Sequence, residues 1–419
     1  MNRKIWKILS GTVVAAVVRA NAAMTPEAFV NQALEHNPEL NFYVANIAAA
    51  KGAVRTAGTI RNPELNAQAG YKSSRDNTGG TSGNGAAWSV SFSQVFEYPG
   101  RIALRKAIAS HDVNLAQLHL EQFRRTLAAR VRALAYGISS AHGKSTAAGE
   151  VAGRFQALKD IIEQRPAAGV TPQLEALLIA ANALMFRRQE RDAALAETAM
   201  AAELNQLRGQ PANAPLAVKP AAVRFSRVSL PNLLQAARSH AFDIRIREAE
   251  LAQQSSKLGL ARNERYPAIT VGPFYSHERA ADTEQQVGLG ISLPLPIWDR
   301  NAGNIATNKA RWHQAQASLT AAERQVERRV SQSAAILEAT RSEIENWQTG
   351  EVPKFREAAE LADQNYRLGA VPLTLYVETQ KQYLEILSAV RDLEKDALQA
   401  AEELQILTGL NLAGGEPQP

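Results

Sequence analysis

Four segments of the chain alternate between apolar and polar residues with a period of two, the pattern of a β-strand that has one apolar face. Two lie in the first quarter of the chain, Leu65–Ser73 and Trp88–Phe96. The other two run from Ile269 to Ser276 and from Gln286 to Leu293. Their second face carries mainly Ser, Thr, Gly, Asn and Gln. Such small polar residues are typical of a sheet with an apolar medium on one side and water on the other.

The apolar medium is either a protein core or lipid, and the alternation fits both. Each segment has about 9–10 residues, the length of a tilted transmembrane strand. Aromatic residues are predicted at the strand ends, as in interfacial girdles; they are Tyr71, Trp88, Phe96, Tyr98, Tyr266, Tyr275 and Trp298. The alternative is a soluble α+β domain whose sheet packs on a helix. Because four strands do not close around a lumen, contact with lipid requires an oligomer.

Helical stretches flank the strands. Shorter helices are predicted over Pro26–Ile60 and Pro231–Glu264, and long helical stretches over Arg101–Gln164 and Ile305–Asn365. Roughly 60 helical residues span about 90 Å, which is too long for a globular domain of this mass. Breaks along the long stretches are expected at Gly137, Gly143, Gly149, Gly153 and Pro353.

The last helix carries apolar residues at alternating spacings of four and three, a seam that favours coiled-coil packing. The seam consists of Ile386, Val390, Leu393, Ala397, Ala400, Leu404 and Leu407. This helix ends at Gly409, and an earlier helix ends at Gly209, because glycine suits a helix C-cap. Long helices with such a seam indicate an extended assembly.

The chain contains an internal duplication. Gly169-Val170-Thr171-Pro172 aligns with Gly369-Ala370-Val371-Pro372 at an offset of 200. Both copies have the same order of elements: a helix, two strands, a long helix, a Gly/Pro turn and a last helix. We therefore predict repeat 1 over residues 23–212, a linker over 213–227, repeat 2 over 228–412 and a tail over 413–419.

The N-terminus indicates export. Three basic residues precede an apolar run over residues 8–18, and Ala20-Asn21-Ala22 has the form of a cleavage site. Residues 1–22 are therefore predicted to be a signal peptide. Its removal takes away four basic residues and no acidic one, so the net charge falls from +6 to +2. Most of the positive charge that would favour nucleic-acid binding is therefore lost with the signal peptide.

Composition and motifs exclude several classes of protein. With 45% hydrophobic residues and no cysteine among 419, the chain is neither disordered nor held by disulfides or thiolate-bound metals. No stretch reaches ~18 consecutive apolar residues, so a polytopic helical membrane protein is excluded. Nucleotide-binding, serine-hydrolase and zinc-protease motifs are missing. The seven scattered histidines suggest no metal site, so no enzyme and no cofactor are predicted; they are His36, His111, His119, His142, His240, His277 and His313.

The duplicated order of elements after a signal peptide resembles the TolC-type outer-membrane efflux family over essentially the whole mature chain. The most specific match is at the two Gly/Pro turns, where the family has an aromatic residue or Arg before the glycine and an acid six or nine residues after it. The matching residues are Arg165, Gly169 and Glu175 in repeat 1, and Tyr366, Gly369 and Glu378 in repeat 2. Position six in repeat 2 is Leu375, which departs from the pattern. The segment Ser292–Ile305 resembles the heavy-metal, CzcC-like branch.

The resemblance implies an α+β membrane protein that forms a homotrimer. Four strands from each chain would build a 12-stranded outer-membrane β-barrel, continued by a periplasmic α-helical coiled-coil barrel. Residues 76–85 and 278–284 would be external loops, and the outer-membrane lipid would surround the apolar face. The implied partners are a periplasmic adaptor (membrane fusion) protein and an inner-membrane resistance-nodulation-division pump.

The resulting hypothesis is a passive exit duct for divalent heavy-metal cations: cobalt, nickel, zinc or cadmium. Glu175 and Glu378 are predicted to line its periplasmic entrance. The adaptor-facing tips are predicted at Gly169, Val170, Gly369, Ala370 and Val371. The alternatives are a channel of the same family for drugs or organic solutes, and a periplasmic coiled-coil adaptor or scaffold.

Overall fold

The computed structural model describes residues 23–75, 77, 79–163, 170–219, 225–347 and 352–412. The predicted signal peptide, the C-terminal tail and Gly169 lie outside these residues. The chain forms two compact units. Unit 1 combines Met1–Glu35 with Val131–Ala222, and unit 2 combines His36–Arg130 with Val223–Pro419. Unit 1 thus combines two separate parts of predicted repeat 1 with part of the linker. Unit 2 combines a part of predicted repeat 1 with predicted repeat 2.

The described residues form nine helices and one four-stranded sheet. The helices are α1 (Pro26–His36), α2 (Glu39–Ala57), α3 (Arg101–Glu163), α4 (Val170–Leu207), α5 (Leu230–His240), α6 (Phe242–Asn263), α7 (Ala302–Asn346), α8 (Val352–Arg367) and α9 (Leu373–Thr408). The strands are β1 (Glu64–Arg75), β2 (Thr81–Phe96), β3 (Ile269–Arg279) and β4 (Thr283–Ser292). All four predicted strands are confirmed.

The two shorter predicted helices are each divided in two. The first breaks at Asn37-Pro38, because proline lacks the N–H that would continue the hydrogen-bond ladder. The Asn37 Oδ1 accepts a 2.8 Å hydrogen bond from the Glu39 N–H, which starts the next helix. The second breaks at Ala241, whose backbone is extended. The prediction of single helices over these stretches was wrong.

The glycines predicted to break the first long helix do not do so, since α3 continues without interruption through all four. A lone glycine weakens a helix by only about 1 kcal/mol relative to alanine. In unit 1 it allows close packing instead, because a Cβ at Gly137 would lie 2.6 Å from the Met200 Sδ of α4. The break predicted near Pro353 is confirmed: α7 ends at Asn346 and α8 begins at Val352, with Pro353 in its first turn.

The sheet has the order β1-β2-β3-β4, and every neighbouring pair is antiparallel. The turns between β1 and β2 and between β3 and β4 lie at one end, the turn end; the helices join at the other, the helix end. β2 begins at Thr81, β3 continues to Arg279 and β4 begins at Thr283, so the loops predicted over 76–85 and 278–284 are both shorter than expected. Small residues extend the ladder, with Gly85 paired to Lys72 and Asn84 to Ser73. Tyr71, Trp88 and Tyr275 therefore lie within strands and not at the strand ends where they were predicted.

Hydrogen bonds join the sheet to the helices at the helix end. The Arg101 guanidinium, at the start of α3, donates from Nε to the Asn263 Oδ1 at 3.0 Å and from Nη2 to the Tyr266 carbonyl at 2.6 Å. Asn263 Nδ2 donates to the Pro99 carbonyl at 2.9 Å. The Tyr98 and Tyr266 rings stack with centroids 4.3 Å apart. The end of β2 and the start of β3 are thereby held to α3 and α6.

The core of unit 2 contains the predicted seam of α9. Val390, Ala397, Ala400, Leu404 and Leu407 are buried, and Ile386 and Leu393 are half-buried, which confirms the seam. Leu233 and Ala237 of α5 and Val326 and Val330 of α7 belong to the same apolar cluster. At its edge, Arg329 of α7 lies 2.7 Å from the Asp243 carboxylate and 2.6 Å from that of Glu403, so that one cation joins α6, α7 and α9.

Unit 1 is a smaller helical packing unit. Phe155 of α3 and Phe186 of α4 are buried with ring centroids 5.0 Å apart. The Arg208 guanidinium lies 5.6 Å from the Phe29 ring and donates to the Asn205 Oδ1 at 2.9 Å. Burial lowers the pKa of Arg208 from its ordinary value. Gly209 follows with φ +69°, which confirms the predicted C-cap.

Gly272 of β3 offers a test of the sheet. A Cβ there would overlap the Phe92 carbonyl of β2, and a rigid backbone group gives little room. We expect Gly272→Ala to lower the free energy of unfolding by about 1–3 kcal/mol, the range for overpacking. Gly70→Ala is the matched control, since a Cβ at this β1 position meets nothing within 4 Å. Equal stability of the two variants in urea titrations of the folded protein would contradict the close approach.

Candidate functional site

One face of the sheet is apolar on all four strands. The register places Leu65 opposite Phe92, Ala67 opposite Val90 and Tyr275 opposite Val287. Most apolar side chains of this face are exposed in the single chain, from 37% for Val90 to 82% for Val287, while Tyr275 is half-buried. The exposed apolar residues of this face are Leu65, Tyr71, Trp88, Val90, Phe92, Phe96, Ile269, Val287, Leu289 and Ile291. An apolar area of this extent marks an interaction surface.

The opposite face is polar and lined by small residues. Glycine and serine dominate its middle: Gly70, Ser89, Ser91, Ser93, Gly272, Ser276, Gly288 and Gly290. Phe274 is the large apolar exception, and its ring covers Gly288, where a Cβ would lie 2.6 Å from Phe274 Cε1. Small side chains on one face allow a sheet to curve towards that face. The alternation therefore separates an apolar surface of the sheet from a polar one.

A cluster of three charged residues lies on the polar face near the turn end. The Lys72 Nζ of β1 donates to the Glu278 Oε2 of β3 at 2.6 Å and to the Glu284 Oε2 of β4 at 3.1 Å. Lysine reaches these carboxylates across β2, where Gly85 and Ala87 have little or no side chain in the way. The two glutamates form a directly opposed pair. Like charges in that position repel, so Lys72 stabilises the pair.

An apolar segment is exposed beyond the helix end of β4. Leu293, Leu295 and Ile297 are 45–67% exposed and Trp298 is 93% exposed. Asn301 then begins α7 in the left-handed region with φ 60°. Its amide Nδ2 donates to the Ala261 carbonyl at 2.8 Å, and its N–H to the Asp299 Oδ1 at 2.8 Å. The motif quoted above from Ser292 to Ile305 thus forms a strand-to-helix junction.

The turn between α8 and α9 is a Schellman motif. Gly369 has φ +70°, a conformation that glycine adopts without a Cβ penalty. The Gly369 N–H donates to the Tyr366 carbonyl at 2.9 Å, and the Ala370 N–H donates to the Asn365 carbonyl at 2.8 Å. The predicted tip residues Gly369, Ala370 and Val371 therefore form one tight turn before Pro372.

Aromatic stacking and buried hydrogen bonds fix the two helices beside this turn. The Tyr366 and Tyr376 rings stack with centroids 5.0 Å apart and planes 7° from parallel. Tyr376 is fully buried, and its hydroxyl donates to the Asp363 Oδ1 at 3.1 Å. Gln380 is also fully buried and donates from Nε2 to the Ala359 carbonyl at 2.6 Å. The turn is thus supported by a packed base of side chains.

Both predicted entrance glutamates are exposed. Glu378 lies on the face of α9 opposite Tyr376 and Gln380, and it accepts a 3.0 Å hydrogen bond from Gln382 Nε2. Glu175 lies near the start of α4 in unit 1, with Leu174 and Leu178 exposed around it. Val170 is the first residue of α4. The tip around Gly169 lies outside the described residues.

The described residues contain no helix that is both long and apolar enough to cross a membrane. Within the same residues, no group of three or more His, Asp or Glu side chains is placed to hold a metal ion.

The family model described as "Outer membrane efflux protein" matches this chain twice, over residues 29–210 and 233–410. The chain therefore belongs to the outer membrane efflux protein family. Proteins of this family are passive channels of the bacterial outer membrane with a periplasmic extension, and they are not enzymes. The predicted family, localisation and absence of enzyme activity are thereby confirmed.

Two curated relatives match part of the chain. The cobalt-zinc-cadmium resistance protein CzcC of Cupriavidus metallidurans is 25% identical over 163 residues, which is 39% of this chain and 36% of the relative. The nodulation protein T of Rhizobium leguminosarum bv. viciae is 31% identical over 168 residues, which is 37% of this chain and 34% of the relative. The matches span about a third of the length of each relative.

Solved structures match nearly the whole chain. A membrane protein from Pseudomonas aeruginosa has a TM-score of 0.75 at 20% identity, covering 91% of this chain and 90% of that one. The CusC channel has a TM-score of 0.73 at 16% identity, with 92% of each chain covered. The Campylobacter jejuni CmeC outer membrane channel has a TM-score of 0.74 at 15% identity, covering 100% and 96%. At these identities, the similarity shows a shared fold and nothing further. The shared fold confirms the predicted fold class.

Period-two alternation predicts the two faces of the sheet but not the cluster of Lys72, Glu278 and Glu284. A signal was present, because the alternation along each strand assigns all three residues to the polar face. Pairing of repeat 1 with repeat 2 was needed to bring them together, because 206 residues separate Lys72 from Glu278. The stacking of Tyr376 on Tyr366 was likewise not predicted.

Tyr376 tests the base of the α8–α9 turn. We expect Tyr376→Ala to destabilise this hairpin by about 3–5 kcal/mol, the cost of removing a buried aromatic ring. Tyr376→Phe keeps the stack and loses one hydrogen bond, for about 1 kcal/mol. Amide hydrogen exchange in α8 and the first turns of α9 measures both. Leu375→Ala, at the exposed neighbouring position, is the control; an equal loss there would contradict the role of Tyr376.

Proposed function

We propose that this chain is the outer-membrane exit duct of a tripartite efflux system and that it conducts divalent heavy-metal cations passively. The observation that carries the proposal is the two-faced sheet. An exposed apolar face suits contact with lipid, and a polar face of small residues suits a water-filled lumen. Family membership supports the channel, while the substrate and the partners are inferred.

The duct would be a homotrimer. β1 and β4 are the outer strands of the sheet, so each leaves a row of backbone N–H and C=O groups for another strand. Addition of β1 of one copy to β4 of the next would close twelve strands into a barrel without an edge. Such closure satisfies the backbone groups that a bilayer leaves without water. Residues 1–22 would be removed as a signal peptide during export.

The substrate class rests on two similarities. One relative with partial coverage is a cobalt-zinc-cadmium resistance protein, and the Ser292–Ile305 junction resembles that branch of the family. We therefore infer cobalt, nickel, zinc or cadmium as cargo. Cells that lack their own exporter and carry this chain with its partner proteins should survive higher concentrations of these metals. Protection against organic solutes alone would instead identify a drug channel.

The partners would be a periplasmic adaptor and an inner-membrane resistance-nodulation-division pump. The tight turn at Gly369, Ala370 and Val371 is a compact tip against which an adaptor hairpin can abut. The corresponding tip at Gly169 and Val170 is proposed from the internal duplication. The pump would supply the energy, since a passive duct does not.

Glu378 is the stronger of the two entrance candidates. The exposed face of α9 near Glu378 carries Gln382 and Glu385 and suits water. Glu175 instead lies among exposed leucines of α4, which suit contact with another protein surface. A ring of three Glu378 carboxylates would attract cations at the entrance.

Leu289 tests whether the apolar face meets lipid. We expect Leu289→Arg to destabilise the assembled trimer by about 2–4 kcal/mol, the cost of a cation at the bilayer midplane. Gln286→Arg is the matched control, because Gln286 lies on the polar face of the same strand. Trimer yield from outer-membrane fractions measures both. Normal yield from Leu289→Arg would rule out lipid on this face.

Single-channel conductance in planar bilayers tests whether Glu378 and Glu175 line the entrance. We expect Glu378→Ala to make a stable conductance less cation-preferring, and Glu175→Ala to have the smaller effect. Leu375→Ala is the control, since it shortens a side chain on the exposed face of α9 without changing charge. An unchanged preference in both glutamate variants would keep the channel and reject the entrance.

A further inference from the structure

We propose that Lys72, Glu278 and Glu284 set the ion selectivity of the turn-end mouth of the duct. The inference rests on the proposed function, because it requires three copies of the sheet around a common lumen. It concerns the end of the duct opposite the periplasmic entrance, and it assigns a role to a lysine and two glutamates together.

Charged residues are scarce on the polar face of the sheet. Along the described strands, this face carries Asn, Gln, Ser, Thr, Gly and Ala at nearly every position. Its charged residues are Glu64 at the helix end and the three members of the cluster. Ions that pass the strands therefore meet fixed charge at two levels, and the cluster is the one near the turn end.

Hydrogen bonds arrange the three charged side chains of the cluster. Lys72 donates to both carboxylates, at 2.6 and 3.1 Å, and the three side chains keep 32%, 40% and 71% of their surface exposed. The cluster is thus in contact with solvent while its geometry is held by hydrogen bonds. It contains one positive and two negative groups, which leaves one net negative charge per chain.

The net charge of the cluster would act on permeant ions. Three chains would present three net negative charges at one level, which favours cations weakly. Lys72 moderates this preference, because without it two opposed carboxylates per chain would face the lumen. A mouth with modest cation preference releases its cargo, whereas a strongly acidic mouth would retain divalent ions.

The charge series that tests this role changes the cluster in both directions. Lys72→Met doubles the net negative charge, and the isosteric double variant Glu278→Gln/Glu284→Gln leaves one positive charge per chain. Arg279→Gln is the matched control, because Arg279 is the next residue of β3 and lies on the opposite face of the sheet. The measurement is the reversal potential of the reconstituted protein in a potassium chloride gradient at low ionic strength, where screening is least.

We expect Lys72→Met to raise the potassium-to-chloride permeability ratio by about twofold or more. The variant makes the mouth more negative by one charge per chain, and one unit charge on the order of 10 Å from an ion in water changes its energy enough for a factor of about two. The double glutamine variant should fall below wild type and prefer anions, and Arg279→Gln should match wild type. If Lys72→Met does not assemble because the Glu278 and Glu284 carboxylates repel each other, the double glutamine variant alone decides the direction in which the cluster shifts the reversal potential.

The outcomes separate the two proposals. Normal conductance with a wild-type reversal potential in the double glutamine variant would overturn the role of the cluster and leave the duct intact. A complete lack of conductance from folded wild-type trimers would overturn the duct itself, and the inference with it. A shift of equal size in Arg279→Gln would mean that general surface charge, and not the cluster, acts on the permeant ions.

Discussion

The alternation of apolar and polar side chains along four strands is the constraint on which the other features depend. It places Val287, Leu289 and Ile291 on one surface while glycines and serines occupy the other. Apolar side chains exposed to this extent in water are unfavourable at about 25 cal/mol per Å². The chain therefore needs an apolar environment around the sheet. The same alternation makes the opposite face of the sheet hydrophilic without any additional element.

The helices hold the sheet through a small number of directed contacts. Arg101, Asn263 and the stacked Tyr98 and Tyr266 join strand ends to helix ends, so the orientation of the sheet follows that of α3 and α6. At the far end of α8, Tyr376 and Gln380 are buried below a glycine turn. Stacked rings and directed hydrogen bonds thus fix the local geometry of the chain both beside the sheet and at the α8–α9 turn.

Sequence patterns predicted the strands, the order of the elements, the α9 seam and the C-caps, because period-two alternation, heptad spacing and terminal glycine are local signals. They failed where tertiary contacts outweigh local preference. The glycines of α3 were expected to break the helix, but α3 runs through all of them, and Gly137 packs closely against Met200 of α4. The Lys72 cluster was invisible for a different reason. Its members come from both repeats, and a chain read in order does not reveal which strand of one repeat pairs with which strand of the other.

The outer strands β1 and β4 have a consequence for the life of the newly exported chain. Before assembly, each strand would expose unpaired backbone N–H and C=O groups next to an uncovered apolar face. This combination promotes aggregation. A folded monomer is therefore a hazardous species in the periplasm. In the proposed trimer, pairing of these strands with neighbouring copies and insertion into the bilayer would therefore have to follow export closely. Biogenesis, and not only transport, is thus constrained by the same edges.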